Sequence, residues 1–566
     1  MNFEQFNQAE VKAYLSRQII AYIGNKRKLL PLIFDGIKES FPNGGRGYRF
    51  FDAFAGSGVV SRLAKAMGFS VLSNDWEEYS RVINSTFLGL NPSELDILIG
   101  PSFMLNNWLE AVNNLSDPHP EEEYIARYYG PKSFDISNVD YNSQRLFYTR
   151  YNALIIDRVR NYIDVCYPEK PGGWRNNKIR NFLITLLLYK AATHTNTSGV
   201  FKAYHKGFGG HNGDALSRIL RPIRLEAPVL LESDQPMEIF NCDANLLVRQ
   251  SEMEDIDIAY LDPPYNQHQY GSNYHMLNSI ARWDKIPHPL ELDQKGRLKE
   301  KAAIRKDWVN TRSPYCYRDQ AEVAFSDLIG NLKAKLIFIS YSTDGIISFE
   351  KLQRICEKKG RLSLYTNQYI KYRGGKQSNQ GKSHNIEFLL RVESNEPATL
   401  YAKREIQRLL ALRKAHLELK NRFKKQALAR EFYIEKGNVY FESQNRKLPF
   451  KKNHLFDLEF DFEPSSLSLE ELQLLNQKLH QTSCQSKEEE LEEILTRIRE
   501  QDEDIPYFVK LLPDTLQKLA HKKNRPIFER YMKRIEALKA HRPDVFSSIE
   551  RKLNNLNHLA EKRFTS

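Results

Sequence analysis

Cysteine is scarce. The 566 residues hold five (Cys166, Cys242, Cys316, Cys356, Cys484), scattered and without a Cys-x-x-Cys pair. That excludes a disulfide scaffold and a structural zinc ribbon, and points to reduced thiols in the cytoplasm. His194, His205 and His211 read as structural or phosphate-facing side chains, so no metal is expected. No apolar run reaches the roughly 20 residues that a membrane span needs. The start, Met1-Asn2-Phe3-Glu4-Gln5, lacks the basic and apolar segments of a secretory signal, so neither membrane insertion nor secretion is expected. Excess charge is small for the length. The 83 Lys and Arg against 71 Asp and Glu leave +12, a modest hint of a polyanionic partner. A chain this long exceeds one core, and about three domains are expected.

What is present centres on Tyr260-Leu261-Asp262-Pro263-Pro264-Tyr265. The apolar run Ile256 to Leu261 has strand length and ends at two prolines, which cannot continue a ladder. Asp262 then stands at the carboxyl edge of a sheet, followed by a stiff turn and a forward aromatic, Tyr265. A carboxylate acceptor, a fixed turn and a flat ring suit a planar substrate that carries an amino group. A plain strand-to-turn junction, with Asp262 as a cap and Tyr265 as packing, is the other reading.

A second constellation lies near the amino terminus. Tyr48-Arg49-Phe50-Phe51-Asp52 predicts a strand running into Ala53-Phe54-Ala55-Gly56-Ser57-Gly58, then an amphipathic helix through Val59, Val60, Leu63 and Met67. Gly68-Phe69 ends the helix, and a second strand, Ser70 to Ser73, finishes in Asn74-Asp75. This is the first βαβ unit of an open nucleotide-binding sheet, in which a terminal acid meets ribose hydroxyls. The third glycine of the dinucleotide fingerprint is missing, which disfavours NAD. Upstream, Gly24-Asn25-Lys26 predicts a turn opening a helix, where Lys26 could hold a carboxylate; a solvated surface loop is the alternative.

The sheet rhythm breaks between about 85 and 235. A buried helix is expected over Ile179 to Leu188, and Thr193 to Gly210 alternates small residues with Phe, Tyr, Lys and His. That pattern suits either contact with phosphates and bases or a loop pinned by aromatics. Sheet strands resume at Glu238 to Ala244, with Asp243-Ala244 at the strand end, and close with Lys335 to Ser342 and Asn385 to Leu390. Residues 285–318 are basic and irregular, with Arg305 among the cations, and 373–382 form a basic loop. After 401 glycine nearly vanishes and Lys, Arg, Leu and Glu helices take over. Glu488 to Glu493 read as a solvated face, and Leu467, Leu469, Leu472, Leu474 and Leu475 as core.

Together these pieces resemble the amino-methylating DNA adenine methyltransferases, the Dam-like group in which the AdoMet-binding half precedes Asp-Pro-Pro-Tyr. The resemblance covers about residues 18–392 and rests on Gly24-Asn25-Lys26, Asp52 to Gly58, Asp75, Asp243-Ala244 and Asp262 to Tyr265, in that order. Asn25 stands where the best-known members carry a second glycine. The resemblance implies an α/β, Rossmann-like class I methyltransferase fold with a mixed, mostly parallel sheet. The catalytic domain would take in residues 1–84 and 236–395, with a target-recognition region inserted at 85–235, the basic stretches 285–318 and 373–382 on the phosphate backbone of the DNA, and a mainly helical domain at 396–566.

It implies S-adenosylmethionine as cofactor, double-stranded DNA as partner, and a companion restriction or defence subunit as a further one. Tyr22 and Lys26, beside Gly24 and Asn25, would hold the methionine end of the cofactor, Asp75 the ribose, and Asp243 with Ala244 the adenine border. Gly56 and Gly58, within the loop from Asp52 through Phe54, would admit the cofactor where side chains would collide with it. Asp262, the Pro263 carbonyl and Tyr265 would receive an adenine flipped out of the duplex, the first two by hydrogen bonds to its amino group and Tyr265 by stacking. Methylation of RNA adenine or of cytosine N4 uses similar chemistry, and a DNA-binding specificity subunit is the non-enzymatic alternative.

Overall fold

The computed structural model describes residues 9–20, 24–171, 173–210, 213–366, 386–444, 446–453, 456–500 and 505–565. The described residues form two compact units, one within 9–366 with 387–402 and one within 403–565.

A seven-stranded sheet organises the first unit: β1 (Arg49–Asp52), β2 (Ser70–Asn74), β3 (Met237–Phe240), β4 (Ile256–Leu261), β5 (Ala334–Ser342), β6 (Gly360–Thr366) and β7 (Glu387–Ser394). Their order across the sheet is β3-β2-β1-β4-β5-β7-β6. All neighbours run parallel except β7, which is antiparallel to both β5 and β6. In β4, the centre of the sheet, all six residues are buried, as a parallel strand covered on both faces requires. Its one charged member, Asp257, sits at the amino-terminal edge, where its carboxylate accepts the Arg49 amide at 2.8 Å and Lys335 Nζ at 2.7 Å. The chain builds outward from β1 to β3 on one side and from β4 to β5 on the other. The β1/β4 boundary is therefore the switch point, where open sheets of this kind bind ligands.

Residues 85–235 are mostly helical and pack into the same core as the sheet. The helix Trp174–Thr193 buries Leu183 and Leu187, and Thr185 Oγ1 lies 2.8 Å from Thr86 Oγ1 on the helix Glu78–Phe87. The helix Arg150–Cys166 buries Arg160, whose Nε donates to the Ile280 carbonyl at 2.7 Å. The stretch after residue 285 is anchored as well. Buried Arg145 donates to the carbonyls of His288, Pro289 and Glu300. Arg305, counted among the phosphate-facing cations from sequence, is buried instead and paired with Asp284 and Asp307 at 2.6 and 2.7 Å. A desolvated guanidinium needs such partners, and these two satisfy it from inside the fold. The basic loop at 373–382, and His211, lie outside the described residues.

The second unit is helical, with the helices Leu469–Thr482, Lys487–Arg499, Ile505–Gln517, Arg525–His541 and Glu550–Thr565. It also holds an antiparallel meander that the sequence reading missed: β8 (Tyr433–Glu435), β9 (Asn438–Ser443), β10 (Arg446–Asn453) and β11 (Asp457–Phe460). Lys436 and Gly437 both take left-handed dihedrals, which close the tight β8–β9 turn. Leu467, Leu472 and Leu475 are core, while Leu474 is exposed. The acidic helix is more than a solvated face, because Glu488 pairs with Arg530 and Glu492 with Arg534 on a neighbouring helix. Among the described residues, no helix is long and apolar enough to cross a membrane.

Candidate active site

A cleft opens at the switch point, lined by Gly24, Phe54, Asn74 to Glu77, Cys242 to Ala244, Asp262, Pro264, Tyr270, Thr311 and Ser313 to Tyr315. The strand ends converge here because every parallel strand delivers its carboxyl end to this edge.

Asp262 leaves β4 into the cleft and meets Lys26, whose Nζ lies 3.1 Å from Oδ1; the two side chains are 17% and 4% exposed. Lys26 belongs to a short helical turn, Lys26–Lys28, capped by Asn25, whose Oδ1 accepts the Arg27 amide at 2.9 Å. Asn25 also reaches Ser57 Oγ at 3.3 Å, tying this turn to the glycine loop. Gly24 precedes them at φ +80°, a conformation that side chains resist. Burial works against the Lys26 charge, but Asp262, Glu387 and Tyr260 outweigh it, and its pKa is raised. The residue that the resemblance assigns to a cofactor carboxylate is thus the counter-ion of Asp262 in this structure.

Tyr265 follows the Pro263-Pro264 turn and points inward. It is 6% exposed, its hydroxyl donates to Glu387 Oε1 at 3.3 Å, its ring meets Tyr341 edge-on at 5.6 Å, and Lys26 Nζ lies 5.1 Å from its centroid. The open stacking surface expected from sequence is therefore not what the ring presents here; it is enclosed by its neighbours.

The glycine loop also differs in detail from the expectation. A Cβ on Gly58 would stand 2.0 Å from Asn84 Oδ1, and its φ is +73°, so the packed helix Glu78–Phe87 already forbids a side chain there. The Gly56 amide donates to Asp75 Oδ2 at 2.7 Å, and the Glu77 amide to Asp75 Oδ1 at 2.8 Å. Asp75 lines the cleft and at the same time braces the loop. Burial raises its pKa against those hydrogen bonds. Asp52 does not line the cleft. It is buried beneath the loop, accepts Ser61 Oγ at 2.6 Å, and is pushed up to about 7 by burial, with Ser61 pulling the other way. Its position at the end of a strand suggested a ligand contact; the first turn of the following helix, Val59–Ala66, claims it instead.

Asp243 and Ala244 line the cleft. Asp243 caps the short helix Ala244–Leu247, accepting the Asn245 and Leu246 amides at 2.7 and 3.3 Å. Phe54 lines the cleft edge-on to Tyr315, with centroids 5.3 Å apart. Tyr22 lies outside the described residues.

Several lining residues escaped the sequence reading. Thr311 and Ser313 to Tyr315 come from the irregular stretch expected on the DNA backbone. Gln269 draws them in, accepting the Ser313 amide at 2.8 Å and donating to its carbonyl at 3.1 Å, while the Tyr315 hydroxyl reaches Asn245 Oδ1 at 2.6 Å. No spacing in the chain announces this strap. Glu77 could have been found as the second acid after the β2 end. It is buried, accepts Asn278 Nδ2 at 2.6 Å and Thr311 Oγ1 at 3.4 Å, and burial lifts it to about 7.

Residues 22–295 match the model of the D12 class N6 adenine-specific DNA methyltransferases. These residues belong to that family. The match lies within the first unit, and neither RNA nor cytosine is the substrate of the matched class. The chain is 29% identical to the Type II methyltransferase M.NlaIII of Neisseria lactamica over 372 residues, 65% of this chain and 96% of that protein. It is 28% identical to the Type II methyltransferase M.CviAII of Paramecium bursaria Chlorella virus 1, over 62% of this chain and 93% of the relative. With the Type II methyltransferase M.FokI of Planomicrobium okeanokoites it shares 27% identity over 66% of its own length and 52% of the relative's. The family match holds Lys26, Asp75, Asp243 and Asp262; the strap at 311–315 and Glu387 lie beyond it.

Proposed function

We propose that this chain transfers a methyl group from S-adenosylmethionine to N6 of an adenine flipped out of double-stranded DNA. Its setting would be a restriction-modification or phage-defence system with a partner nuclease or other subunit. One observation carries the reading: Asp262, at the end of β4, faces the switch-point cleft with Lys26 as its counter-ion at 3.1 Å. The names of the relatives, Type II methyltransferases, support the biological setting.

The cleft fits the cofactor by its donor set. Aromatic Phe54, Trp76 and Tyr315 suit a purine, Asp75 and Glu77 suit ribose hydroxyls, and the missing Gly24 side chain leaves room beside Lys26 for the methionine end. Bound there, S-adenosylmethionine would supply an electrophilic sulfonium methyl. The chain's own part is to hold the target. Asp262 and the Pro263 carbonyl accept the two N6 hydrogens, which favours a pyramidal nitrogen with an available lone pair, so positioning and electrostatics provide most of the acceleration. Asp262 then takes the proton that N6 sheds. Tyr265 borders the base from the turn.

The test is tritium transfer from labelled S-adenosylmethionine to phage DNA, followed by nucleoside analysis. The wild-type chain is expected to yield N6-methyladenine. Asp262→Ala is expected to lose transfer while calorimetry still detects cofactor binding; undiminished methylation by this variant would overturn the mechanism.

A further inference from the structure

Only an antiparallel strand can bring its first residue to the carboxyl edge of a parallel sheet. β7 is that strand, paired with β5 so that Glu387 faces Ser342, and it sets Glu387 beside the Asp-Pro-Pro-Tyr turn from 122 residues away. Glu387 heads an otherwise apolar buried run, Phe388-Leu389-Leu390, and is itself only 9% exposed. A carboxylate in that place costs stability unless it is paired and hydrogen-bonded. Its partners include the Tyr265 hydroxyl at 3.3 Å and the charge of Lys26, which it shares with Asp262.

The two prolines fix the backbone before Tyr265, which leaves rotation of the side chain as the main freedom of the ring. The Tyr341 edge limits that rotation on one side. The bond to Glu387 limits it at the far end. Burial, together with the nearby charge of Glu387, raises the Tyr265 pKa, so the phenol keeps its proton and remains the donor.

We propose that Glu387 is a positioning residue for methyl transfer, holding the Tyr265 ring by its hydroxyl at the edge that receives the adenine. The inference rests on the function proposed above. Two near-isosteric variants separate the bond from mere packing: Glu387→Gln keeps an acceptor, and Glu387→Met does not. With phage DNA as substrate, Glu387→Met is expected to lower kcat about tenfold, the order of one lost hydrogen bond in a positioning network. Glu387→Gln should stay within about threefold of wild type, and both should bind S-adenosylmethionine in calorimetry within about twofold. Tyr265→Phe removes the same bond from the other side, so the double variant Glu387→Met with Tyr265→Phe is expected to be no slower than the slower single variant.

Wild-type kcat in Glu387→Met, or losses that multiply in the double variant, would overturn the role. If Glu387→Met fails to fold, Tyr265→Phe decides alone, and wild-type kcat from it would likewise overturn the role. A wild-type chain that methylates no DNA would remove the proposed function as well, whereas an active wild type with an equally active Met variant removes only Glu387.

Discussion

Gly58 and Glu77 illustrate how a residue's neighbours decide its part. Alanine at Gly58 would press on Asn84 Oδ1 and hold a left-handed φ of +73°. Gly58→Ala is expected to cost about 1–3 kcal/mol, read as a lower unfolding midpoint in urea. Glu77 makes a pH prediction. Burial raises its folded pKa to about 7, above the usual glutamate value, so the folded state binds the proton more tightly than the unfolded chain. Its contribution is fully present below the unfolded pKa and is lost as pH rises through 7. Glu77→Gln should therefore raise the thermal midpoint at pH 8 and flatten the decline between pH 5 and about 7.5, measured by circular dichroism across that range. An unchanged pH profile would place the proton elsewhere.

At the scale of elements, the joints carry as much information as the strands and helices. Asp157, buried within the helix Arg150–Cys166, accepts the amides of Tyr124, Ile125 and Ala126 at 3.1, 2.7 and 2.9 Å, and so caps the turn Ile125–Tyr128. Asp157→Ala leaves three buried donors without this acceptor. A loss on the order of 3 kcal/mol or more is expected, measured as the shift in urea unfolding. β4 was legible because six buried residues followed by two prolines admit one local solution. The meander β8–β11 was not, because its short strands alternate weakly and sit among strong helix formers. Arg305 misled for a related reason: a basic residue in a basic stretch reads as solvated, and only its carboxylate neighbours Asp284 and Asp307 bury it.

At the scale of the whole molecule, the core of the first unit does not stop at residue 85. Side chains from the helices Arg150–Cys166 and Trp174–Thr193 pack with those of β1, β4 and β5 in one cluster. An exchange of residues 85–235 for those of a relative is therefore expected to give insoluble or non-cooperatively unfolding protein, checked by solubility and melting. Exchanges confined to exposed positions of Ser198 to Lys206 should leave folding intact and report on the DNA site by sequencing of methylated bases. That segment docks through Phe201 on the helix that follows Asp262, with the Phe201 amide donating to the Asn273 carbonyl at 2.8 Å. Identical methylated sites before and after those exchanges would place recognition elsewhere.

Sequence alone determined the order of the catalytic pieces, the βαβ start, and the acid that ends β4, because each is written in neighbouring residues whose backbone preferences leave little choice. It also led to the methyltransferase class. The tertiary structure decided what those pieces touch: Lys26 against Asp262, Asn84 behind Gly58, Glu387 on Tyr265. Each of these contacts joins residues whose pairing depends on how strands order themselves in the sheet, and no local propensity encodes which distant side chain will arrive at a given edge.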